Sequence, residues 1–296
     1  MPTSPSRRTA IKNIMAGTAV LGSAGLLSSF KASPEEEKNS YTLKGNINHS
    51  VCRWCYSDVS LDDLCQAVKR IGFSAIDLVG PKEWPTLKQY GVYSSMCNGA
   101  EISLTKGWNH TEYHGTLIKN YMEHIDLVAK AGYKNLICFS GNREGMDWET
   151  GWKNCETGLK QILGQAEKQG VIIQMELLNS KVDHHDQMCD NTKWGIELVK
   201  RIGSPNFKLL YDIYHMQIDE GDVIRTIRDG HQYFGHYHTG GVPGRHEIDE
   251  TQELYYPAIM KAIVETGFKD YVAQEFIPSW PDKLKALEAG VKICDV

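Results

Sequence analysis

The sequence predicts an α/β protein, a single (β/α)8 barrel at residues 35–296 preceded by an export signal and linker at residues 1–34. From Ile47 onward, short β-branched runs alternate with longer amphipathic runs, which is the pattern of repeated βαβ units. Eight such pairs of about 30 residues each are enough to close a barrel. Glycines follow the helical runs at one recurring structural position, at Gly72, Gly132, Gly170, Gly203 and Gly267.

The strands and helices follow one another without a low-complexity linker after the acidic stretch at 34–39, so we expect one domain. The predicted strands are 47–52, 75–79, 92–97, 134–139, 171–176, 207–212, 233–238 and 271–276. The predicted helices are 60–71, 82–90, 112–131, 149–169, 190–202, 220–230, 251–266 and 281–294. The first helix has a typical start, because Ser60 can cap it and Asp62 and Asp63 suit its first turn.

The amino-terminal segment has the composition of a targeting signal. The run from Ser6 to Lys12, with Arg7 and Arg8, resembles a twin-arginine export motif, although Ala10 stands where that motif usually has a large aromatic residue. A weakly apolar run from Ile14 to Phe30 follows. A membrane anchor is the alternative, but glycine and serine interrupt this run. We therefore expect a periplasmic protein without stable membrane association after signal removal.

Charge and cysteine content exclude several classes of protein. The formal net charge is -5, and none of the 37 acidic residues precedes Glu35, so the body of the chain is acidic and nucleic acid is not an expected partner. The eight cysteines are too dispersed for a disulfide scaffold. Cys52 and Cys55 form the only C-x-x-C motif. Packing, a redox pair, half a zinc site and an incidental disulfide all remain open for this pair.

Polar residues at the ends of the last four strands are the strongest functional signal, because a barrel of this class carries its active site at the carboxyl ends of the strands. These residues are Glu176, Asp212, His238 and Glu275, about one βα unit apart. Three carboxylates and an imidazole in a dry barrel mouth would repel one another unless a cation neutralised them. The oxygen-rich ligand set predicts one Mn²⁺ or Mg²⁺ ion, with Co²⁺ or Fe²⁺ possible.

Five segments of the sequence also carry a family resemblance. They are SVCRWCY at 50–56, ELLNSKVDHHDQMCD at 176–190, YDIYHMQI at 211–218, GHYHTGGVPGRHEID at 235–249 and the strand that ends in Glu275, and the PGRHE run at 243–247 is the most specific. With them, the chain from about Ile47 to Asp295 resembles the sugar isomerase/epimerase barrels of the xylose-isomerase-like TIM barrel superfamily, and is most similar to the hydroxypyruvate isomerase branch.

The resemblance implies roles for the same residues. It places the metal ligands on Glu176, Asp212, His238 and Glu275, and the catalytic acid/base pair on Glu176 and Glu275. It implies a metal-dependent isomerase that converts hydroxypyruvate to tartronate semialdehyde through an enediolate. His238 departs from the pattern, since hydroxypyruvate isomerases have glutamine there and ketose 3-epimerases have histidine. A ketose 3-epimerase and a keto-polyol dehydratase are therefore alternatives, and a DNA-repair endonuclease and a non-catalytic binding protein are competing hypotheses.

Three further residues are candidates for substrate binding. His215 follows Asp212 by three residues, where the related barrels use a histidine to contact a substrate oxygen. Arg245 could bind a substrate carboxylate with two hydrogen bonds, or form a surface ion pair with Glu247 or Asp249. Lys181 could close over the ligand from the loop after Glu176. The expected partner is a small hydroxy-carbonyl or sugar substrate, and a homo-oligomer is possible.

Overall fold

The computed structural model describes residues 41–296, and these residues form the expected α/β TIM-barrel-like fold. The export signal predicted at residues 1–34 lies outside the described residues. The strands are β1 (Asn48–Val51), β2 (Ala75–Ile76), β3 (Tyr93–Ser94), β4 (Asn135–Cys138), β5 (Ile172–Glu176), β6 (Phe207–Asp212), β7 (Phe234–Thr239) and β8 (Tyr271–Gln274). The helices are α1 (Leu61–Ile71), α2 (Trp84–Tyr90), α3 (His114–Ala131), α4 (Trp148–Gln169), α5 (Thr192–Ile202), α6 (Ile213–Asp219), α7 (Val223–Gly230), α8 (Tyr256–Glu265) and α9 (Lys283–Cys294). Short 3-10 turns lie at Arg53–Tyr56, Thr111–Tyr113 and His231–Tyr233.

The strands pair in parallel around a curled sheet. Six of them form a continuous sheet in the order β1, β8, β7, β6, β5, β4, and β2 pairs with β3. Parallel bridges between Cys52 and Asp77, and between Cys97 and Leu136, join this pair to the two edges of the larger sheet. The carboxyl ends of all eight strands therefore face one mouth, where the loops that follow them meet.

Side-chain caps fix where several helices begin. The hydroxyl of Ser60 accepts a hydrogen bond from the backbone N–H of Asp63 at the start of α1, as the sequence predicts. Asp147 and Asn191 cap α4 and α5 in the same way. Large side chains of the helices, Trp194 and Tyr256 among them, are fully buried against the sheet. Local capping and burial of one helix face together hold the outer layer on the barrel.

The segment that follows β6 differs from the expectation. The sequence pattern predicts a single helix at 220–230 after β6, whereas the structure has α6 at Ile213–Asp219 and α7 at Val223–Gly230. The α6 helix starts without any intervening loop because Asp212, the last residue of β6, is also its cap, and its carboxylate accepts from the backbone N–H of His215 at 3.2 Å. The predicted helix corresponds to α7, and the prediction missed α6 because it treated Asp212 only as a strand end.

The two ends of the described chain meet below the barrel, at the amino end of β1. The carboxylate of Asp295 accepts hydrogen bonds from the Tyr41 hydroxyl at 2.8 Å and from the Lys44 backbone N–H at 2.9 Å. The Asn46 side chain donates to the Val296 carbonyl at 2.8 Å. These residues precede β1 or follow α9, so they lie at the face opposite the mouth.

All eight cysteines are free and buried. Cys52 and Cys55 are therefore separate thiols, and the incidental disulfide that the C-x-x-C motif left open is not formed. Burial raises the pKa of both thiols well above the ordinary value, and the charge of Glu275 adds to the effect. Neutral buried thiols of this kind pack as small apolar side chains.

Candidate active site and metal centre

Side chains from four consecutive strands meet at the barrel mouth. Glu176 and Asp212 are the last residues of β5 and β6, His238 is the last but one of β7, and Glu275 directly follows β8. One ligand atom of each residue lies within 4.8 Å of the others. All four residues are buried. The structure thus brings together the residues that the strand-end pattern singles out.

The donor set of this cluster fits a divalent cation. Nδ1 of His238 lies 2.6 Å from Glu275 Oε2 and 3.4 Å from Glu176 Oε1, yet it has no hydrogen-bond partner among residues 41–296. Acceptor atoms that face one another in a buried space repel unless a cation lies between them. Glu176, Asp212, His238 and Glu275 could therefore hold a metal ion, and their oxygen-rich chemistry is that of Mg²⁺ or Mn²⁺ sites.

Asp77, which the sequence analysis missed, orients the imidazole of His238. Nε2 of His238 donates to Asp77 Oδ1 at 3.0 Å, so that Nδ1 keeps its lone pair toward the carboxylates. The other oxygen of Asp77 accepts from Ser95 Oγ at 2.6 Å and lies 2.9 Å from Nε2 of His236. Burial acts to raise the pKa of Asp77, but the neighbouring His236 outweighs it and the net pKa is lowered.

The guanidinium of Arg245 lies between the rings of Trp54 and Tyr214, with its central carbon 5.3 Å and 5.0 Å from the two ring centroids. Its Nη2 lies 3.1 Å from Asp212 Oδ2 and 2.5 Å from Glu275 Oε2. The alternative of a surface ion pair with Glu247 or Asp249 is therefore wrong. Burial acts to lower the pKa of Arg245, whereas Glu275 and Asp212 raise it further, so the side chain stays cationic.

The two glutamates have opposite electrostatic surroundings. Burial, followed by the nearby charge of Glu275, raises the pKa of Glu176. Burial also acts to raise the pKa of Glu275, but Arg245 and His238 outweigh it and hold that pKa well below its usual range. The indole of Trp54 donates to Glu275 Oε1 at 2.7 Å and favours the ionised form as well. Environments that separate the pKa values of two carboxyl groups in this way are typical of catalytic acid/base pairs.

A tight loop after β7 positions Arg245. A side chain at Gly241 has no room, because its Cβ would lie 2.3 Å from the backbone oxygen of Glu247. Glu247 in turn accepts hydrogen bonds from the Ser279 backbone N–H at 2.6 Å and the Trp280 N–H at 3.0 Å. The PGRHE run at 243–247 is thus fixed to the loop after β8.

The other two candidates for substrate binding are placed differently. His215 lies in the first turn of α6, is fully buried and lines the cavity beside Arg245. Lys181 is not brought to the site. Its exposed ammonium donates to the carbonyls of Ile218 and Asp219 at 3.1 Å and 2.7 Å, at the end of α6, so it does not line the cavity and its contact with substrate stays a prediction.

A cavity of about 370 Å³ opens above the cluster. Its floor is polar and includes Glu176 and Glu275, and its walls are largely apolar. The apolar wall residues are Trp54, Leu78, Leu104, Phe139 and Leu178. This volume is within the range of small-molecule sites, about 300–1,000 Å³. The arrangement can enclose a compact ligand with its polar atoms turned toward the buried carboxylates.

Comparisons with known proteins agree with this architecture. A human putative hydroxypyruvate isomerase is 27% identical over 120 residues, which cover 40% of this chain and 43% of that protein. A 2-oxo-tetronate isomerase from Cupriavidus necator is 33% identical over 113 residues, 38% of this chain and 43% of that protein. The chain thus spans less than half the length of these relatives in the matched stretch.

Solved structures share the fold at lower identity. The crystal structure of an AP endonuclease of family 2 from Brucella melitensis superposes with a TM-score of 0.72 at 21% identity, covering 83% of this chain and 97% of that one. A family model described as a xylose isomerase-like TIM barrel matches residues 65–293. Because that match spans most of the barrel, the chain belongs to the xylose isomerase-like TIM barrel family.

Proposed function

We propose that this chain is a metal-dependent isomerase of a small hydroxy-carbonyl compound, most directly of hydroxypyruvate to tartronate semialdehyde. The observation that carries the proposal is the buried cluster of Glu176, Asp212, His238 and Glu275 under a cavity with largely apolar walls. The names of the two curated relatives, which are isomerases of short 2-oxo acids, support the same substrate class.

The metal ion would be held by Glu176, Asp212, His238 and Glu275, and we propose Mn²⁺ or Mg²⁺. When bound, it supplies positive charge that acidifies the C–H next to a carbonyl and stabilises the negative charge that develops on oxygen. The fit rests on the donor set itself, since four buried ligand atoms face a common point.

The two glutamates would move the proton. Glu275, which Arg245 and Trp54 keep ionised, removes a proton from the hydroxyl-bearing carbon of hydroxypyruvate, and an enediolate forms. A proton is then returned to the former ketone carbon by Glu176 or by Glu275, which holds the proton that it removed. The hydroxyl proton passes to the former ketone oxygen. The ketone thus becomes a secondary alcohol, and the primary alcohol becomes the aldehyde of tartronate semialdehyde.

Arg245 and the cavity walls would hold the substrate in place. The guanidinium carries donors on one rigid plane that suit a carboxylate, and it is already fixed between two aromatic rings. The apolar walls exclude water from the proton-transfer path, which protects an enediolate from side reactions. A 2-oxo acid matches this combination of one cationic anchor and a compact apolar enclosure.

A ketose 3-epimerase is the second candidate, and a keto-polyol dehydratase would use the same first step. The histidine at 238 favours the epimerase, because related ketose 3-epimerases have histidine at that position. An epimerase returns the proton to the carbon that lost it, and a dehydratase expels a β-hydroxyl. Product analysis separates the three reactions.

The test is proton exchange in deuterated water. Mn²⁺-loaded protein is incubated with hydroxypyruvate, 2-oxo-tetronate and short ketoses, and label incorporation is followed by NMR after the metal is removed. We expect exchange with hydroxypyruvate, and a loss of about 10²- to 10⁴-fold in Glu176→Gln. Glu265→Gln, on the surface beside Arg228, is the matched control. Undiminished exchange in a folded, metal-loaded Glu176→Gln protein would remove Glu176 from the mechanism.

Export is a separate proposal. Within residues 41–296 no helix has both the length and the apolarity needed to cross a bilayer. We propose that the twin-arginine motif at Arg7 and Arg8 directs the protein to the periplasm. Changing both arginines to lysine should leave the protein in the cytoplasmic fraction of a bacterial host, while equal periplasmic yield of both forms would contradict the proposal.

A further inference from the structure

We propose that a second cavity beside the active site binds a neutral, hydroxyl-rich extension of the substrate, such as a second sugar ring. This side cavity has a volume of about 540 Å³ and lies between helix α3 and the loops that follow β2 and β3. Leu78 and Asn98 line both the side cavity and the cavity above Glu176 and Glu275, so the two spaces adjoin. The inference rests on the proposed function, in its isomerase or its epimerase form, because it names a class of substrate for the same site.

The boundary between the two cavities is formed in part by a residue with a strained backbone. Leu78 has a φ of 54°, in the left-handed region that is unfavourable for a residue with a Cβ. Successive residues of a strand face opposite sides of the sheet. Asp77 nevertheless contacts His238 inside the barrel, and the next residue, Leu78, packs against the apolar cluster that includes Phe139. Backbone strain of this kind is typical of functional positions.

Two glycines keep polar atoms of the side cavity accessible. A Cβ at Gly80 would lie 3.3 Å from Oδ1 of Asn98, and a Cβ at Gly99 would lie 3.1 Å from Nε2 of His124. Nδ1 of His124 lies 2.9 Å from the Asn120 carbonyl and donates to it, so the neutral ring presents an acceptor at Nε2. An amide and an imidazole acceptor can thus bind the hydroxyl groups of a ligand.

The charged residues of the side cavity favour a neutral ligand. Lys82 and Glu83 contribute one charge of each sign to its wall. Oε1 of Glu83 accepts from Nε of Arg53 at 3.1 Å, and this contact fixes the carboxylate. An anionic group would be repelled by that carboxylate, whereas hydroxyl groups can donate to it and accept from the Lys82 ammonium. A sugar ring suits this wall because its hydroxyl groups both donate and accept.

Binding in the side cavity would increase the rate at the reacting carbons. Interactions with a remote part of a substrate hold the reacting part in position, and their free energy then appears in kcat/KM. A net gain from one or two hydrogen bonds corresponds to about 10-fold in that ratio. The side cavity also has a volume within the range of small-molecule sites, about 300–1,000 Å³.

The experiment compares ketoses that present the same reacting group with and without a second ring. Mn²⁺-loaded protein is incubated in deuterated water with D-fructose, and with lactulose and isomaltulose, in which a D-fructose unit carries a second sugar. Label incorporation next to the carbonyl, read by NMR after the metal is removed, gives relative kcat/KM at subsaturating concentrations. We expect exchange of at least one disaccharide to be about 10-fold faster than exchange of D-fructose.

Two variants locate the second ring. His124→Leu removes the imidazole acceptor while keeping a side chain of similar size, and Lys82→Gln removes the ammonium at an exposed position. Each should reduce the advantage of the disaccharide and leave exchange of D-fructose unchanged. Lys119→Gln, on the exposed face of α3, is the matched control and should keep the full advantage.

The outcomes separate this inference from the proposed function. Exchange of D-fructose or hydroxypyruvate without any gain from a second ring would overturn the inference and leave the proposed function intact. A gain that survives both His124→Leu and Lys82→Gln would place the second ring elsewhere and overturn the site.

If none of the compounds exchanges, the proposed function is overturned, and a titration of Mg²⁺-loaded protein with lactulose decides whether the side cavity binds sugar. Shifted NMR signals of the His124 ring would support the side cavity as a sugar site. Unshifted signals would overturn it.

Discussion

Asp77 determines the orientation of the His238 ring. Asp77 fixes Nε2–H and thereby turns the lone pair of Nδ1 toward Glu275 and Glu176. A carboxylate in this position also makes the imidazole a better ligand, because it stabilises positive charge on the ring. Asp77 is itself fully buried, Ser95 donates a hydrogen bond to its second oxygen, and Nε2 of His236 lies 2.9 Å from that oxygen.

We therefore predict that Asp77→Asn lowers the affinity for Mn²⁺ by about 10- to 100-fold. The asparagine can turn its NH₂ toward Nε2 and so favour the wrong tautomer of His238. Affinity is measured by titration calorimetry on metal-stripped protein. Ser95→Ala, which removes one hydrogen bond to Asp77 but no charge, should have a smaller effect. Equal affinity in Asp77→Asn and the wild type would contradict this role.

At the residue scale, the sequence predicts the strand-end residues well because each follows an apolar run at a regular spacing. Asp77 and Asn179 escape this reasoning for different reasons. Asp77 follows a two-residue strand in the first half of the barrel, and its only signal is a single acidic residue in the apolar run AIDLV at 75–79. Asn179 contacts His215, on a helix that begins 34 positions later in the chain, at Ile213. Such partners are set by tertiary structure.

The loop at 240–247 is held in place by contacts with a loop that is distant in the sequence. It has no helix or strand of its own, yet Glu247 binds Ser279 and Trp280 across the gap to the loop after β8. The backbone N–H of Ile277 also donates to the Arg245 carbonyl at 2.6 Å. Two loops thus stabilise one another, and the position of Arg245 depends on both.

Glu247 gives this element a predictable pH dependence. Burial acts to raise its pKa, but hydrogen bonds from Ser279 and Trp280 outweigh it and lower the net pKa. A lowered folded-state pKa contributes stability above the unfolded value of about 4.3, and that contribution is lost as pH falls through the folded value. The stability difference between wild type and Glu247→Gln should therefore be full near neutral pH and shrink in acid.

Urea unfolding at a series of pH values measures this difference. Glu288→Gln on α9 is the control, because within residues 41–296 its carboxylate pairs with the half-buried Lys292 four residues later on the same helix. A difference that grows on acidification would show that the ionised form of Glu247 is not the stabilising one.

A substitution at Gly241 tests the close approach of the chain within the same loop. In Gly241→Ala the new methyl group would lie 2.3 Å from the Glu247 oxygen and 2.9 Å from the His246 oxygen, so the loop must shift. We expect a loss of about 1–3 kcal/mol in the free energy of unfolding, together with weaker substrate binding through a displaced Arg245. Gly115→Ala is the matched control, since nothing lies within 4 Å of its added Cβ and helix α3 favours alanine. Equal stability of both variants would contradict the tight approach.

The order and type of the elements follow from the sequence, because eight apolar runs and the amphipathic runs between them are long enough to read. One exception arises where a single residue belongs to two elements. Asp212 ends β6 and caps α6, which no periodicity shows. The pairing of β2 and β3 is also shorter than their apolar runs, since only Ala75–Ile76 and Tyr93–Ser94 form regular ladders.

At the scale of the whole molecule, the buried acidic cluster would link folding to the metal ion that we propose. An ion that binds the folded chain and not the unfolded one stabilises it by about 2.7 kcal/mol at a hundredfold excess over Kd. For a chain of this size that corresponds to a rise in Tm of about 5–11 °C, at about 2–4 °C per kcal/mol. Calorimetry with and without Mn²⁺ should show the rise in the wild type. Asp212→Asn should lose most of it, whereas Asp229→Asn on the surface should keep it. A metal-independent Tm would contradict a structural contribution of the ion.

The hydrogen bonds from Tyr41 and Lys44 to Asp295, and from Asn46 to the last carbonyl, have a practical result for handling the protein. A linker fused directly behind Val296 leaves from the base, on the side away from the cavity. An affinity handle or a bead linker at the carboxyl terminus should therefore leave diffusion into the cavity unimpeded. Coupling through surface lysines near the rim of the cavity, such as Lys106, would place the linker close to the cavity opening.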